Sequence, residues 1–245
     1  MKKFFAMLLS VALVLCSVTA MAEETIIIGD NLSFPPFEYI DDNGEPAGFD
    51  VEIANAIAAD LGKTPVVEDM AFDSLLVALD TGSVDFVIAA MTITDERKEQ
   101  VDFSEPYFEA QQQVIMAKDA TPITSVADLV NLKVAVQEAT TGHIMCEELG
   151  VPTENIGAFK TGADAILELK SGRVDAVVID TAPAKVFCAE NDDIVIIEGL
   201  DIEPEYYGIA VKKGNQELLD AINATIARLK EDGTYDELLV AFFAE

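Results

Sequence analysis

Short apolar runs occupy residues 25–28, 65–68 and 84–89, and between them residues 51–61 and 74–79 carry apolar positions at helical spacing. Strand-like and helix-like segments alternating in this way predict βαβ units and an open α/β sheet. The cycle starts again after Thr121: residues 132–136, 156–159 and 174–179 read as strands, and 141–149, 163–169 and 182–189 as helices. Two such units in tandem predict an α/β fold with two Rossmann-like lobes. A last periodic segment, 218–229, runs out near Gly233, a residue that stops helices.

Two extended runs, 110–117 and 206–211, fit neither unit and are the candidate crossings between lobes. If both cross, residues 23–111 and 206–245 build lobe 1 and residues 112–205 build lobe 2. The connection is then a hinge of two antiparallel strands.

The N-terminus follows another pattern. Lys2 and Lys3 precede an apolar run over residues 4–14, and Ala20-Met21-Ala22 puts small residues where a signal peptidase cuts. Residues 1–22 therefore read as a signal peptide, too short to span a bilayer comfortably. Cys16 follows Leu15, where a lipidation site needs a small residue, so lipid anchoring is not expected. Cleavage removes two lysines and no acid, and the formal charge moves from −30 to −32. Such a surface repels nucleic-acid phosphates and anionic headgroups, so neither partner is expected. With 51% hydrophobic residues the chain can bury a core. Cys146 and Cys188 would share an oxidising compartment, where a disulfide and two buried thiols are both open. His143 is the only histidine, which leaves no zinc cluster, and no cofactor is expected.

Gly48-Phe49-Asp50-Val51-Glu52-Ile53 opens an amphipathic segment, with Asp50 as the expected N-cap and Phe49 as the apolar residue just before it. This segment resembles the signature of the bacterial extracellular solute-binding proteins of family 3. Further motifs follow in family order: Phe34-Pro35-Pro36-Phe37-Glu38-Tyr39, Met91-Thr92-Ile93-Thr94-Asp95-Glu96-Arg97, Arg173-Val174-Asp175-Ala176-Val177, Tyr207-Gly208-Ile209-Ala210 and Asp232-Gly233-Thr234-Tyr235. The resemblance implies the type II periplasmic binding fold and a free amino acid as ligand.

An α-amino acid needs a receptor for each of its two charges and walls for its side chain. Arg97 can meet a carboxylate with two parallel N–H bonds; on local sequence alone it could instead pair with Asp95 or Glu99. The family's carboxylate-binding arginine falls at this position. Ala89, Ala90 and Thr92 follow a strand, at the end where open α/β sheets bind ligands. The resemblance places ligand contacts at Ala90 and Thr92, although Thr92 also suits a cap. Thr140 and Thr141 start a helix, where free N–H groups favour an anion; the resemblance puts Thr141 on the ligand carboxylate. Asp180 ends a strand and implies an ammonium receptor, or a cap for the next helix. Phe34 and Phe72 are the implied aromatic walls, with Phe37 assigned to the core.

The resemblance assigns side-chain selection to Asn31, Ser33, Gln137 and Ile179. Asn31 and Ser33 stand where relatives that take basic ligands often carry a carboxylate, and a ligand cation buried without a partner is costly. A neutral polar ligand, glutamine-like in size, is therefore expected, with Glu38, Glu138 and the acidic surface as the features that would favour a cation. The expected cycle is hinge closure of a monomer that delivers its ligand to an ABC transporter permease. The alternatives are an enzyme of the cyclohexadienyl dehydratase kind, with Glu138 as its acid, and a ligand-sensing module.

Overall fold

The computed structural model describes residues 24–244, so the expected signal peptide at 1–22 lies outside the described residues. The first unit contains β1 (Thr25–Asp30), β2 (Ser33–Phe34), β3 (Glu38–Ile40), β4 (Pro46–Ala47), α1 (Phe49–Asp60), β5 (Thr64–Asp69), α2 (Leu75–Thr81), β6 (Phe86–Val87), α3 (Asp95–Gln100) and β7 (Val101–Phe103). The second contains β8 (Phe108–Ala117), β9 (Val134–Gln137), α4 (Thr141–Glu148), β10 (Ile156–Phe159), α5 (Gly162–Lys170), β11 (Ala176–Asp180), α6 (Thr181–Glu190), β12 (Ile194–Ile196) and β13 (Pro204–Tyr207). The chain then returns through β14 (Ala210–Lys212), α7 (Gln216–Asp232) and α8 (Thr234–Phe243).

Each unit has its own sheet. The first runs β5-β1-β6-β14-β7 and the second β10-β9-β11-β8-β12, with β13 paired to β8. In both, the opening βαβ strands are parallel: β1 lies between β5 and β6, and β9 between β10 and β11. Neighbouring connections therefore leave β1 and β9 in opposite directions, and a crevice opens at their carboxyl ends. Those two crevices face each other across the lobes.

Both expected crossings are strands. The first is the ten-residue β8, and the second divides into β13 and β14. β13 runs antiparallel to β8, Phe108 opposite Tyr207 and Gln111 opposite Pro204. Behind this ribbon lies an aromatic cluster, in which the Phe37 ring sits 4.8 Å from Phe108, 5.3 Å from Tyr207 and 5.1 Å from Phe243. Phe37 is fully buried, as expected of a core residue.

Helix ends follow local chemistry. Thr140, Thr161 and Asn215 cap α4, α5 and α7 through their side chains. The amphipathic α7 buries Leu219, Ile222, Ile226 and Leu229 and stops at Gly233, whose φ is 86°. The start of α1 corrects the sequence reading. Its cap position is Gly48, with φ 128°, where a Cβ would come within 2.1 Å of the Phe37 carbonyl oxygen. The helix thus begins at Phe49, one residue before Asp50, and its cap lies two residues before.

Freed from capping, the Asp50 carboxyl turns into the core, where Oδ2 accepts the Ala90 N–H at 2.8 Å and the Tyr107 hydroxyl at 2.6 Å. Burial pushes Asp50 up to about 7, against the opposing effect of these bonds. The folded protein therefore holds a proton here that the unfolded chain releases near pH 4. That advantage is complete at low pH and is lost as pH rises through about 7. Asp50→Ala should cost about 2–4 kcal/mol at pH 5 by stranding two buried donors. The cost should shrink at pH 8, where a buried charge is removed with them. Asp50→Asn keeps an acceptor, and its unfolding free energy should fall less steeply than wild type between pH 5 and 8 in urea titrations.

Candidate functional site

The carboxyl ends of β1, β6, β9 and β11 meet around a small cavity of about 20 Å³. The first lobe lines it with Asn31, Phe34, Glu38, Phe72, Ala89, Ala90, Thr92 and Arg97, and the second with Gln137, Thr140, Thr141 and Asp180. Eleven of the twelve expected site residues line it. Ser33 does not; its hydroxyl donates to Asn31 Oδ1 at 2.9 Å. Ile179 is buried and also outside the lining.

Glu38 is the addition. It faces Phe34 across the β2–β3 pair, so the two side chains share one face. A carboxylate two residues past Pro36, opposite an expected pocket aromatic, is the signal that could have placed it.

Arg97 is 7% exposed. Its NH1 donates to the Thr92 carbonyl at 2.7 Å, its NH2 to the Ala139 carbonyl of the other lobe at 3.0 Å, and its guanidinium lies 5.3 Å from the centre of the Phe72 ring. It pairs with neither Asp95 nor Glu99; Lys98 takes Asp95. Burial lowers the Arg97 pKa, and the carboxylates of Glu205 and Asp180 oppose that loss. Ala139 at φ 63° and Ala90 at φ 45° hold the two loops in a backbone region that alanine rarely adopts. Both are tied down by the site: Ala139 through its carbonyl to Arg97, Ala90 through its N–H to Asp50.

Asp180 occupies the cap position of α6 but makes no side-chain capping bond. Its Oδ1 instead accepts the Tyr207 hydroxyl at 2.6 Å, and burial, reinforced by Glu205, pushes it up to about 7. Thr92 is no cap either. Thr94 caps α3, and Thr92 forms an isolated bridge with Tyr207. Thr140 does cap α4, while Thr141 Oγ1 donates to Glu205.

Glu38 is 1% exposed, and burial beside Asp50 and Asp30 raises it well above the ordinary carboxyl range. The amide donors of this pocket are already engaged: Asn31 Nδ2 with the Met70 carbonyl, Gln137 Nε2 with Asn31 Oδ1 and the Lys160 carbonyl. Among the described residues, Asp30, Gln112 and Gln137 keep a buried side-chain oxygen without a partner, and Gln137 lines the cavity; Glu38 and Asp50 hydrogen-bond to each other. What the pocket lacks is hydrogen-bond donors.

Glu138 stands outside the lining, paired at 2.7 Å with Lys160, which also reaches Asp73 across the lobes at 2.8 Å. Cys146 and Cys188 are free thiols, and burial pushes Cys146 up to about 12. The two-thiol alternative is therefore the one realised. No helix among the described residues is long and apolar enough to cross a membrane.

This arrangement has close counterparts. The chain is 34% identical over 233 residues to the putative ABC transporter arginine-binding protein 2 of Escherichia coli K12, covering 93% of this chain and 94% of that one. A crystal structure of a mutant of ArgBP from T. maritima superposes with a TM-score of 0.86 at 43% identity, over 90% of this chain and 96% of the other. An ancestral arginine-binding protein bound to glutamine matches with a TM-score of 0.85 at 44% identity, over 91% and 99%. The model of the bacterial extracellular solute-binding proteins, family 3, matches residues 26–245. The chain belongs to that family and has its type II periplasmic binding fold.

Proposed function

We propose that this protein is an exported, monomeric receptor that binds a basic amino acid, arginine before lysine, and hands it to an ABC transporter permease. The observation that carries the choice of ligand is Glu38, a buried carboxyl on the cavity wall whose hydrogen-bonding neighbour is another buried acid, Asp50. An α-carboxylate balances Arg97 and an α-ammonium balances Asp180, which leaves Glu38 for a third charge. A side-chain guanidinium supplies that charge, and its five N–H groups suit a pocket with unfilled acceptors, including Gln137 Oε1. This moves the ligand from the neutral side chain expected from Asn31 and Ser33 to a cationic one. Phe34 and Phe72 would enclose its apolar stem.

Residues 23–111 with 206–245, and residues 112–205, are taken as the two bodies that move about the paired β8 and β13. Arg97 and Glu38 belong to one body, Asp180 and Gln137 to the other, so a ligand that touches all four favours the closed form by differential contact. Binding without chemical conversion fits the position of Glu138, an enzyme's candidate acid, outside the cavity lining.

Titration calorimetry against the twenty amino acids should give one site per chain, with arginine at least about tenfold tighter than glutamine. Arg97→Ala should weaken every amino-acid ligand by well over tenfold, since a charge-assisted contact contributes roughly 1.5–3 kcal/mol. Normal binding by that variant would remove Arg97 from the site. Glu38→Gln should reduce arginine affinity about tenfold or more and leave glutamine within about threefold. Because a guanidinium competes with the proton that Glu38 holds when the pocket is empty, arginine affinity should rise from pH 5 to pH 8 in wild type. Glu38→Gln should reduce that rise to the part that Asp180 contributes, and a profile identical to wild type would show that Glu38 does not meet the cation.

A further inference from the structure

Glu205 was not among the residues expected at the site, and it does not line the cavity. It lies on β13, opposite Ala110 of β8, in the ribbon that joins the lobes. Its Oε2 accepts two hydroxyl protons at 2.7 Å each, one from Thr92 of the first lobe and one from Thr141 of the second. The two hydroxyl oxygens thereby come within 3.5 Å of each other. A carboxylate can only accept, and a hydroxyl has one proton to give. With both protons committed to Glu205, the threonine oxygens have only lone pairs left. That of Thr141 already receives Gln112 Nε2–H at 3.2 Å. Thr92, buried and on the cavity wall, faces the ligand as an acceptor.

We infer that Glu205 is a positioning residue that fixes the Thr92 and Thr141 hydroxyls as receptors for the ligand's α-ammonium. The inference rests on the amino-acid reading above and sharpens it. A hydroxyl held as an acceptor repels a carboxylate and suits an N–H donor, so the Thr141 hydroxyl does not join the backbone N–H groups at the start of α4 in meeting the ligand carboxylate. The carboxylate is left to Arg97 and those N–H groups, and the ammonium gains hydroxyl oxygens beside Asp180. Because the two hydroxyls come from different lobes, this acceptor set exists only while the lobes are apposed.

The test separates the two ends of the ligand. Affinities of wild type, Glu205→Gln and Glu205→Ala are measured by calorimetry for L-arginine, for 5-guanidinopentanoate, which lacks the α-ammonium, and for agmatine, which lacks the α-carboxylate. If wild type prefers glutamine, glutaramate and 4-aminobutanamide replace the two analogues. In Glu205→Ala the hydroxyl protons are released to turn toward the ligand, and the preference for arginine over 5-guanidinopentanoate should fall about tenfold. The preference for arginine over agmatine should stay within about threefold of wild type or increase. Glu205→Gln keeps one weaker acceptor and should show a smaller fall, of about threefold or more; it decides the matter alone if circular dichroism shows that Glu205→Ala does not fold. An unchanged ammonium preference overturns the inference. So does an equal fall in both preferences, which is what a general loosening of closure would give. Failure of wild type to bind any amino acid would instead overturn the function, and it is read before any variant is made.

Discussion

Among the described residues the buried acids are Asp30, Glu38, Asp50 and Asp180 and the buried cation is Arg97; of these, Glu38, Asp180 and Arg97 line the cleft. Carboxylates are rarely taken out of water without a partner, because the desolvation of each ion costs several kcal/mol. Here the imbalance is relieved partly by protons: burial raises the pKa of all four acids, two of them to about 7. It is relieved partly by neutral donors, among them the Tyr107 and Tyr207 hydroxyls and the Ala90 N–H. Neither remedy is complete, since an oxygen of Asp30 remains unpartnered and Glu38 and Asp50 hydrogen-bond to each other, acid to acid. A core arranged in this way is poor at being a core and well suited to receiving positive charge.

The ribbon that joins the lobes is more than a connection. β13 carries Tyr207, which donates to Asp180, and Glu205, which collects the two threonine protons, while its partner β8 carries Gln112, which donates to Thr141. The strands that connect the lobes therefore also set the hydrogen-bond polarity of the cleft between them. Behind them the packed rings of Phe37, Phe108, Tyr207 and Phe243 give the ribbon a rigid back. Under the proposed closure, the paired β8 and β13 take up the motion between the two bodies.

Much of this was legible in the chain, for a physical reason. Apolar β-rich runs followed by polar residues mark strand carboxyl ends, and open sheets place their ligands there, which singles out Thr92 and Asp180, whereas Asn31 and Gln137 come from the family likeness. Arg97 was found through a family likeness; composition alone would have paired it with Asp95. Asp50 was misread because a capping preference is local, whereas its actual partners, Ala90 and Tyr107, lie forty and fifty-seven residues away. Glu38 was seen but not placed, because only the β2–β3 register turns it toward Phe34. Glu205 had no local signal at all: its role depends on two threonines that become neighbours only when the sheets face each other.

Under the proposed function, the unfilled acceptors tie selectivity to closure. In an open form each acid can be hydrated, and only apposition of the lobes removes that water. Closing an empty cleft therefore desolvates carboxylates with too few donors to replace it, whereas closing around a donor-rich cation satisfies the same oxygens. A ligand that left Glu38 or Gln137 unpaired would stabilise the closed form less, however well its α-groups fitted, because a stranded buried acceptor costs as much as a good contact contributes. Discrimination thus resides less in what the pocket offers the right side chain than in what a wrong one leaves unsatisfied.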